Sequence, residues 1–414
     1  MAVTRKNNAK TVVVALGGNA ILQPGQVGTF EEQLFNIDGA MRRIATLVED
    51  GWRVVLTHGN GPQVGNLLIQ NALAAKTVAP MPMDVCGAES QGQIGYMAAQ
   101  TLANHLRKRK LAVPVVTIVT QVAVAAGDPA FEHPSKPVGP FYTETEARRM
   151  MLEEGLAMRE DAGRGWRRVV PSPEPREIVE LEAVRDLLDG GALVVCSGGG
   201  GVPVVRARGG ALSGIDAVID KDLAAALLAK ELGADSLLIL TDVPRAYVHY
   251  NTPEQRALDT VTAAQMRAYA AEGHFKAGSM GPKVEACLRF VDAGGESVIA
   301  SLTEVGPAMA GKAGTHIVPD TATQRKPKQG AAEAPTGTTS AGKAAAAKKP
   351  GGTAGRGGKA TPHAAAKRPG KGASGQGAAG TSTAGDSAAG KPASAGPGAR
   401  VIDISTVRRR AAAE

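Results

Sequence analysis

Apolar residues recur along the chain in two rhythms. Short runs rich in Val, Ile and Leu stand at 11–16, 53–57, 114–119, 192–196, 236–241 and 297–300, with the length and β-branching of buried strands. Between several of them the spacing changes to three and four. Leu34, Ile37, Met41, Ile44 and Val48 fall on one helical face, with Gly51 placed to end that helix. Strand, helix and strand in this order predict an α/β protein whose largely parallel sheet is covered on both faces. Ligands of such sheets sit at the carboxyl ends of the strands.

Residues 121–175 break the rhythm. This stretch is rich in Pro, Gly and charge, yet "TETEARRMMLEEG" carries a capped helical pattern. It reads as a small inserted subdomain of the kind that forms lids. Beyond residue 320 the pattern stops altogether. Ala, Gly, Lys, Pro, Ser and Thr follow one another, as in "GKAAAAKKPGGTAGRGGKATPHAAAKRPGKG". Too little apolar surface is present there to offset chain entropy, so a disordered basic tail is predicted over 321–414, after a folded body over 10–320. A short apolar island, Val401–Ser405 ("VIDIS"), interrupts that tail, and the sequence does not explain it.

Charge divides along the same boundary. The tail holds 16 Lys and Arg against 4 Asp and Glu, out of 47 against 39 in the whole chain, leaving the body mildly acidic at 31 against 35. The basic overall balance is therefore no sign that the folded part binds nucleic acid. For the tail two readings stand: a solvated extension, or a contact for nucleic acid or another polyanion. Cys86, Cys196 and Cys287 are far apart and flanked by apolar residues, as expected of buried thiols in a reducing compartment. No apolar run approaches the ~18 residues of a membrane span, and no signal-peptide core precedes the first strand, so a cytoplasmic location is expected.

Three glycine-rich turns follow strands: "ALGGNA" at 15–20, "THGNGPQVG" at 57–65 and "CSGGGGVPV" at 196–204. Turns of this kind let backbone N–H groups converge on an anion, which makes Gly198, Gly199 and Gly200 candidates for phosphate binding along with the glycines of the first two. The familiar fingerprints fail, however. No G-x-x-x-x-G-K-[ST] occurs, and "GNGPQV" has Val64 where a dinucleotide-binding loop needs its third glycine. Ser90 and Ser279 miss the nucleophile elbow by its first glycine.

The first glycine pair also lacks a neighbouring cation, since Ala15 stands before it. Lysines at the ends of elements offer the charge. Lys221 opens a helix between Asp220 and Asp222, Lys283 follows "GSMGP" with Pro282 suited to the first helical position, and Lys136 stands between prolines in the inserted segment. A lysine in a first turn gains nothing from the helix dipole, so an anion shared between ammonium and helix terminus is expected. Phosphoryl transfer needs mostly positioning and charge neutralisation, which such a set supplies.

"VVVALGGNAIL", "LTHGNGPQVGNLL", "PMDVCGAESQGQIGYM", "PSKPVGPF", "EDAGRGWRRVVPSPEP", "CSGGGGVPVV", "GIDAVIDKDLAAALLA" and "GHFKAGSMGPKVEA" together resemble carbamate kinases, a branch of the amino-acid kinase superfamily, from about residue 10 to 319. The resemblance implies a three-layer α/β/α sandwich around a mainly parallel open sheet, with a small protruding subdomain over the active site, working as a homodimer. It implies reversible phosphoryl transfer between ATP and carbamate, giving ADP and carbamoyl phosphate with Mg2+, often run toward ATP when arginine is degraded. Lys136, Lys221 and Lys283 would be the cations and Asp222 their organiser, with Lys136 replacing the lysine that other branches carry at Ala15. Gly17, Gly18, Asn19, Gly59, Asn60 and Gly61 would cradle the transferred group. Thr241, Asp242 and Val243 would bind the nucleotide, together with the 276–283 region, where Lys276, Gly278 and Met280 lie.

The chain departs from the family pattern at Pro244, Arg245 and Lys276, near the expected adenosine pocket, and the tail has no counterpart in it. The rival readings are another small-acid or nucleotide kinase of the same superfamily, against which Ala15 together with Lys136 argues, and a kinase body with a polyanion-binding tail.

Overall fold

The computed structural model describes residues 9–161, 163–276 and 278–320. The tail and its apolar island lie outside the described residues. From the N-terminus, β1 (Thr11–Leu16), α1 (Phe30–Glu49), β2 (Arg53–His58), α2 (Gly61–Ala74) and α3 (Met83–Lys108) lead to β3 (Val115–Thr117) and β4 (Gln121–Val124). Then come β5 (Lys136–Tyr142), α4 (Glu144–Glu153), β6 (Met158–Glu160), β7 (Trp166–Val170), β8 (Glu177–Ile178), α5 (Leu181–Asp189), β9 (Leu193–Val195), β10 (Val202–Arg206) and β11 (Leu212–Gly214). The last third holds α6 (Lys221–Glu231), β12 (Ser236–Thr241), β13 (Tyr247–Val248), β14 (Arg256–Ala257), β15 (Thr260–Thr262), α7 (Ala263–Ala271), α8 (Met280–Asp292), β16 (Glu296–Ser301), α9 (Val305–Met309) and β17 (Thr315–Val318).

Eight strands form the main sheet in the order β15-β17-β16-β12-β1-β2-β9-β3. All neighbours are parallel except β16 and β17. The alternation along β1 shows how the layers are made. Val13 and Ala15 enter the core on one face, with α6 and α8, while Val12, Val14 and Leu16 enter the other, with α1 and α3. Both faces of the strand are thus covered, and each of the six apolar runs read from the sequence contains a strand of this sheet. The sequence gives no comparable signal for β15 and β17, which are short and carry Thr and His among their apolar residues.

Helix α1 is bounded by a capping box, Thr29 with Glu32, and by Gly51 at φ +90°, so its ends are fixed locally. The same device starts α4, where the Thr143 hydroxyl accepts from the Glu146 N–H. A three-stranded antiparallel sheet, β5-β7-β6, carries α4 within 136–170. β4, at the start of the interrupted stretch, belongs instead to a second sheet, β11-β10-β4-β8. Among the described residues no helix is long and apolar enough to cross a membrane. All three cysteines are buried and free, and burial pushes the Cys86 thiol up to about 11 and Cys196 to about 12.

Candidate active site

The carboxyl ends of β1, β2 and β12 converge on the start of α6. Asp220 caps that helix, its Oδ1 accepting from the Asp222 N–H at 2.9 Å, so Lys221 and Asp222 take the first two helical positions. Lys221 Nζ donates to Asp222 Oδ1 at 2.5 Å and Lys283 Nζ to Oδ2 at 3.1 Å. Asp222 is 3% exposed. Burial opposes its charge, but Lys221 and Lys283 outweigh that penalty and hold the carboxyl below the usual carboxylate range. Burial likewise pushes the Lys221 ammonium down, against the attraction of Asp222, with repulsion from Lys283 adding to the burial. Lys136 reaches the same helix end from β5, its Nζ 3.0 Å from Asp220 Oδ2.

Lys283 is the fourth residue of α8 and Pro282 the third, because the helix begins two residues earlier than the proline suggested, at Met280. Pro282 is tolerated there because the first turn leaves its N–H groups without intrahelical partners.

The glycine turns differ in purpose. The Gly17 N–H is taken by Leu240 O at 3.1 Å and the Gly59 N–H by Leu16 O at 3.0 Å. Their contribution is therefore close approach: a Cβ on Gly59 would lie 3.4 Å from both the Gly18 nitrogen and Lys221 Cδ. The third turn is dictated by packing. A Cβ on Gly198 would meet the His58 ring at 2.5 Å, on Gly199 the Asn60 side chain at 2.1 Å, and on Gly200 the Ile219 carbonyl at 2.4 Å. Gly199 also borders a cavity; the tight contact explains Gly198, and at Gly200 a φ of +95° adds to it.

Two cavities meet this cluster. The larger, about 860 Å³, is lined by Gly17, Gly18, Asn19, Lys221 and Lys283 at one end. Thr241, Asp242, Val243, Lys276, Gly278 and Met280, the residues assigned to the nucleotide from the sequence, all line it too. Asp242 is held on both sides, by Thr241 Oγ1 at 3.0 Å and Asn19 Nδ2 at 3.3 Å. Tyr247, His249, Tyr250, His274 and Phe275 add a wall that sequence reading missed, because loops and a two-residue strand are too short or irregular to carry a periodic signal. Neither Pro244 nor Arg245 lines it; Arg245 is ion-paired with Asp259 at 2.5 Å. The smaller cavity, about 460 Å³, is bordered by Asn60, Gly61, Lys136, Gly199 and Arg167. Asn60 is oriented by Ser90, whose buried hydroxyl accepts from Asn60 Nδ2 at 2.8 Å.

Among the described residues no three His, Cys, Asp or Glu side chains gather into a metal cage. Both oxygens of Asp222 and both of Asp242 already accept hydrogen bonds. Lysines dominate the donor set, which suits a nucleotide that carries a divalent cation on its own phosphate oxygens.

An open parallel sheet with glycine turns, paired lysines and a large cleft at its strand ends defines a phosphotransferase of the amino acid kinase family, whose sequence profile matches residues 10–301. Within that family the chain belongs to the carbamate kinases. It is 54% identical over 313 residues to the carbamate kinase of Thermococcus kodakarensis, covering 75% of this chain and 99% of that one. The Trichomonas vaginalis carbamate kinase is 48% identical over 312 residues, with 75% and 99% covered. A solved carbamate kinase from Giardia lamblia, bound to AMP-PNP, superposes with a TM-score of 0.72 at 49% identity, over 75% of this chain and 99% of that one.

Proposed function

We propose that this carbamate kinase passes the terminal phosphoryl group of ATP to a carbamate oxygen, and returns it from carbamoyl phosphate to ADP, at the start of α6. The nucleotide lies in the larger cavity against Thr241–Val243 and the 276–280 segment, and carbamate enters on the side of Asn60, Gly61 and Lys136. Lys221 and Lys283 neutralise charge on the transferring group, and Asp222 holds both ammoniums in register. Gly17, Gly18, Asn19 and Gly59 bring the chain close to that group. Lys136 supplies from β5 the cation that Ala15 does not.

The observation that carries this reading is the pair of lysines on one buried carboxylate, Lys221 at 2.5 Å and Lys283 at 3.1 Å from Asp222. Two ammoniums hold the Asp222 carboxyl ionised and below the usual carboxylate range, which makes it a weak base. No base is required: the attacking carbamate oxygen is already anionic, and the step is one of positioning and electrostatic stabilisation.

Mg2+ is the expected nucleotide-borne cation. A homodimer is the expected assembly, supported by Phe35 (78% exposed), Leu73 (81%) and Tyr96 (58%) on helices α1–α3, which pack on one another. A cytoplasmic site of action and ATP formation during arginine breakdown belong to the same reading. The test is a coupled assay of ATP formation from ADP and carbamoyl phosphate with the full chain. Turnover that requires both substrates and Mg2+ is the expected result, and its absence would refute the assignment.

A further inference from the structure

The geometry points to Asp220 as a positioning residue for phosphoryl transfer, one that docks the Lys136 ammonium of the small sheet onto the helix end carrying Lys221 and Asp222. The inference rests on the role proposed above for Lys136.

Asp220 is bifunctional in the structure. One carboxylate oxygen caps α6 through the Asp222 N–H at 2.9 Å, and the other accepts from Lys136 Nζ at 3.0 Å. The capping task needs no charge, since Asn and Ser cap as well as Asp. The second contact does use it, being a charge-assisted bond across 84 residues of sequence. Only 14% of the Asp220 side chain is exposed, against 37% for Lys136, so the carboxylate is the more deeply packed partner of the two.

Lys136 needs such a partner. Its backbone is set by pairing of β5 with β7, where it stands opposite Val170, and by Pro137 on its far side. The four-carbon stem beyond it is flexible, and an ammonium is a point charge without a preferred plane. The remaining contacts show what surface the stem must cross. Between residues 216 and 220 the small sheet is tied three times: Arg168 Nη2 to Asp216 Oδ2 at 3.0 Å, the Val218 N–H to Pro171 O at 2.9 Å, and Lys136 to Asp220. Val138 and Val170 of the small sheet share an apolar cluster with Met83, against which Val218 packs. Of the three ties, the Asp220 one alone involves a residue placed at the transferring group. It joins three lysines and two aspartates into one array with a net charge of +1.

The experiment compares Asp220→Asn, Asp220→Ser, Lys136→Met and the Asp220→Asn/Lys136→Met double variant in full chains, measuring ATP formation and thermal midpoint. Asp220→Asn and Asp220→Ser keep the cap, so their midpoints should stay close to that of the parent. Each should lower kcat by about 10-fold with KM for ADP nearly unchanged, because Lys136 is then mispositioned while the nucleotide cleft is intact. Lys136→Met should lose more, and the double variant should match Lys136→Met alone, since Asp220 acts through that lysine. Undiminished kcat in both Asp220 variants would overturn the proposal, as would losses that multiply in the double variant. A rise in kcat would overturn it differently, making the ion pair a restraint on the lysine. Full activity of Lys136→Met would instead overturn the role of the lysine itself, and the positioning proposal with it.

Discussion

Asp222 shows how much one buried carboxylate does here. Its two oxygens hold two ammoniums that would otherwise repel each other, on a carboxylate that is itself almost wholly buried. Replacing it by Asn leaves two lysine charges without a counter-ion, and uncompensated buried charges cost about 3–5 kcal/mol. Asp222→Asn should therefore lower kcat by roughly 10² or more and also lower the thermal midpoint, as read by coupled assay and by scanning calorimetry. Unchanged midpoint with lost activity would mean that the lysines find other partners. His58 provides a pH signature. Burial, with a smaller repulsion from Lys221, lowers its imidazole from 6.5 to about 4, against a backbone hydrogen bond to Gly59. Between those values the unfolded chain takes up a proton that the folded chain refuses, so acidification from pH 6.5 to 4 removes stability, by about 3 kcal/mol over the window. In His58→Gln the fall in thermal midpoint between pH 7 and pH 4.5 should be visibly smaller than in the parent, whatever the variant's midpoint at pH 7. An identical pH dependence would show that the histidine contributes nothing to it.

At the scale of elements, the turn at Ser197–Gly201 acts as a gauge between β9 and α6. Gly200 sits at φ +95° with its missing Cβ 2.4 Å from the Ile219 carbonyl, directly before Asp220 and Lys221. A backbone atom cannot swing aside as a side chain would. Gly200→Ala should thus displace the start of α6, costing about 2 kcal/mol or more in stability and lowering kcat at the same time. Gly210→Ala is the matched control, because Gly210 shares the positive φ, at +87°, and nothing lies within 4 Å of where its Cβ would be. Similar effects of the two substitutions in urea unfolding and assay would refute this account of the turn.

For the whole molecule, the eight strands described for the main sheet lie between Thr11 and Val318, and among the described residues both core layers are filled from that span. A chain ending at residue 320 should therefore fold and retain most of the turnover of the full chain. If the exposed apolar residues of α1–α3 meet a second copy, light scattering on that chain should report about twice the monomer mass at micromolar concentration, a two-fold pair being the commonest soluble assembly. An insoluble or inactive truncated chain would contradict the first expectation, and a fully active monomer the second.

The sequence by itself determined six of the eight strands of the main sheet, and it singled out the glycines and lysines that the structure gathers around the start of α6. Six apolar runs long enough to be buried on both faces specify strands locally, and glycine turns and lysines at helix starts mark their ends. Pairing was decided only in three dimensions. That Lys136 meets Asp220, that Lys283 shares Asp222 with Lys221, and that Arg245 goes to Asp259 depends on side chains brought together from distant parts of the chain. The same holds for the purpose of the third glycine turn: a run of glycines announces close approach without saying to what, and only the packed structure puts His58, Asn60 and Ile219 against it. Periodicity reports which way a residue faces on its own element. Which residue it faces across the core is set by how the elements pack, and it is at those crossings that the site is made.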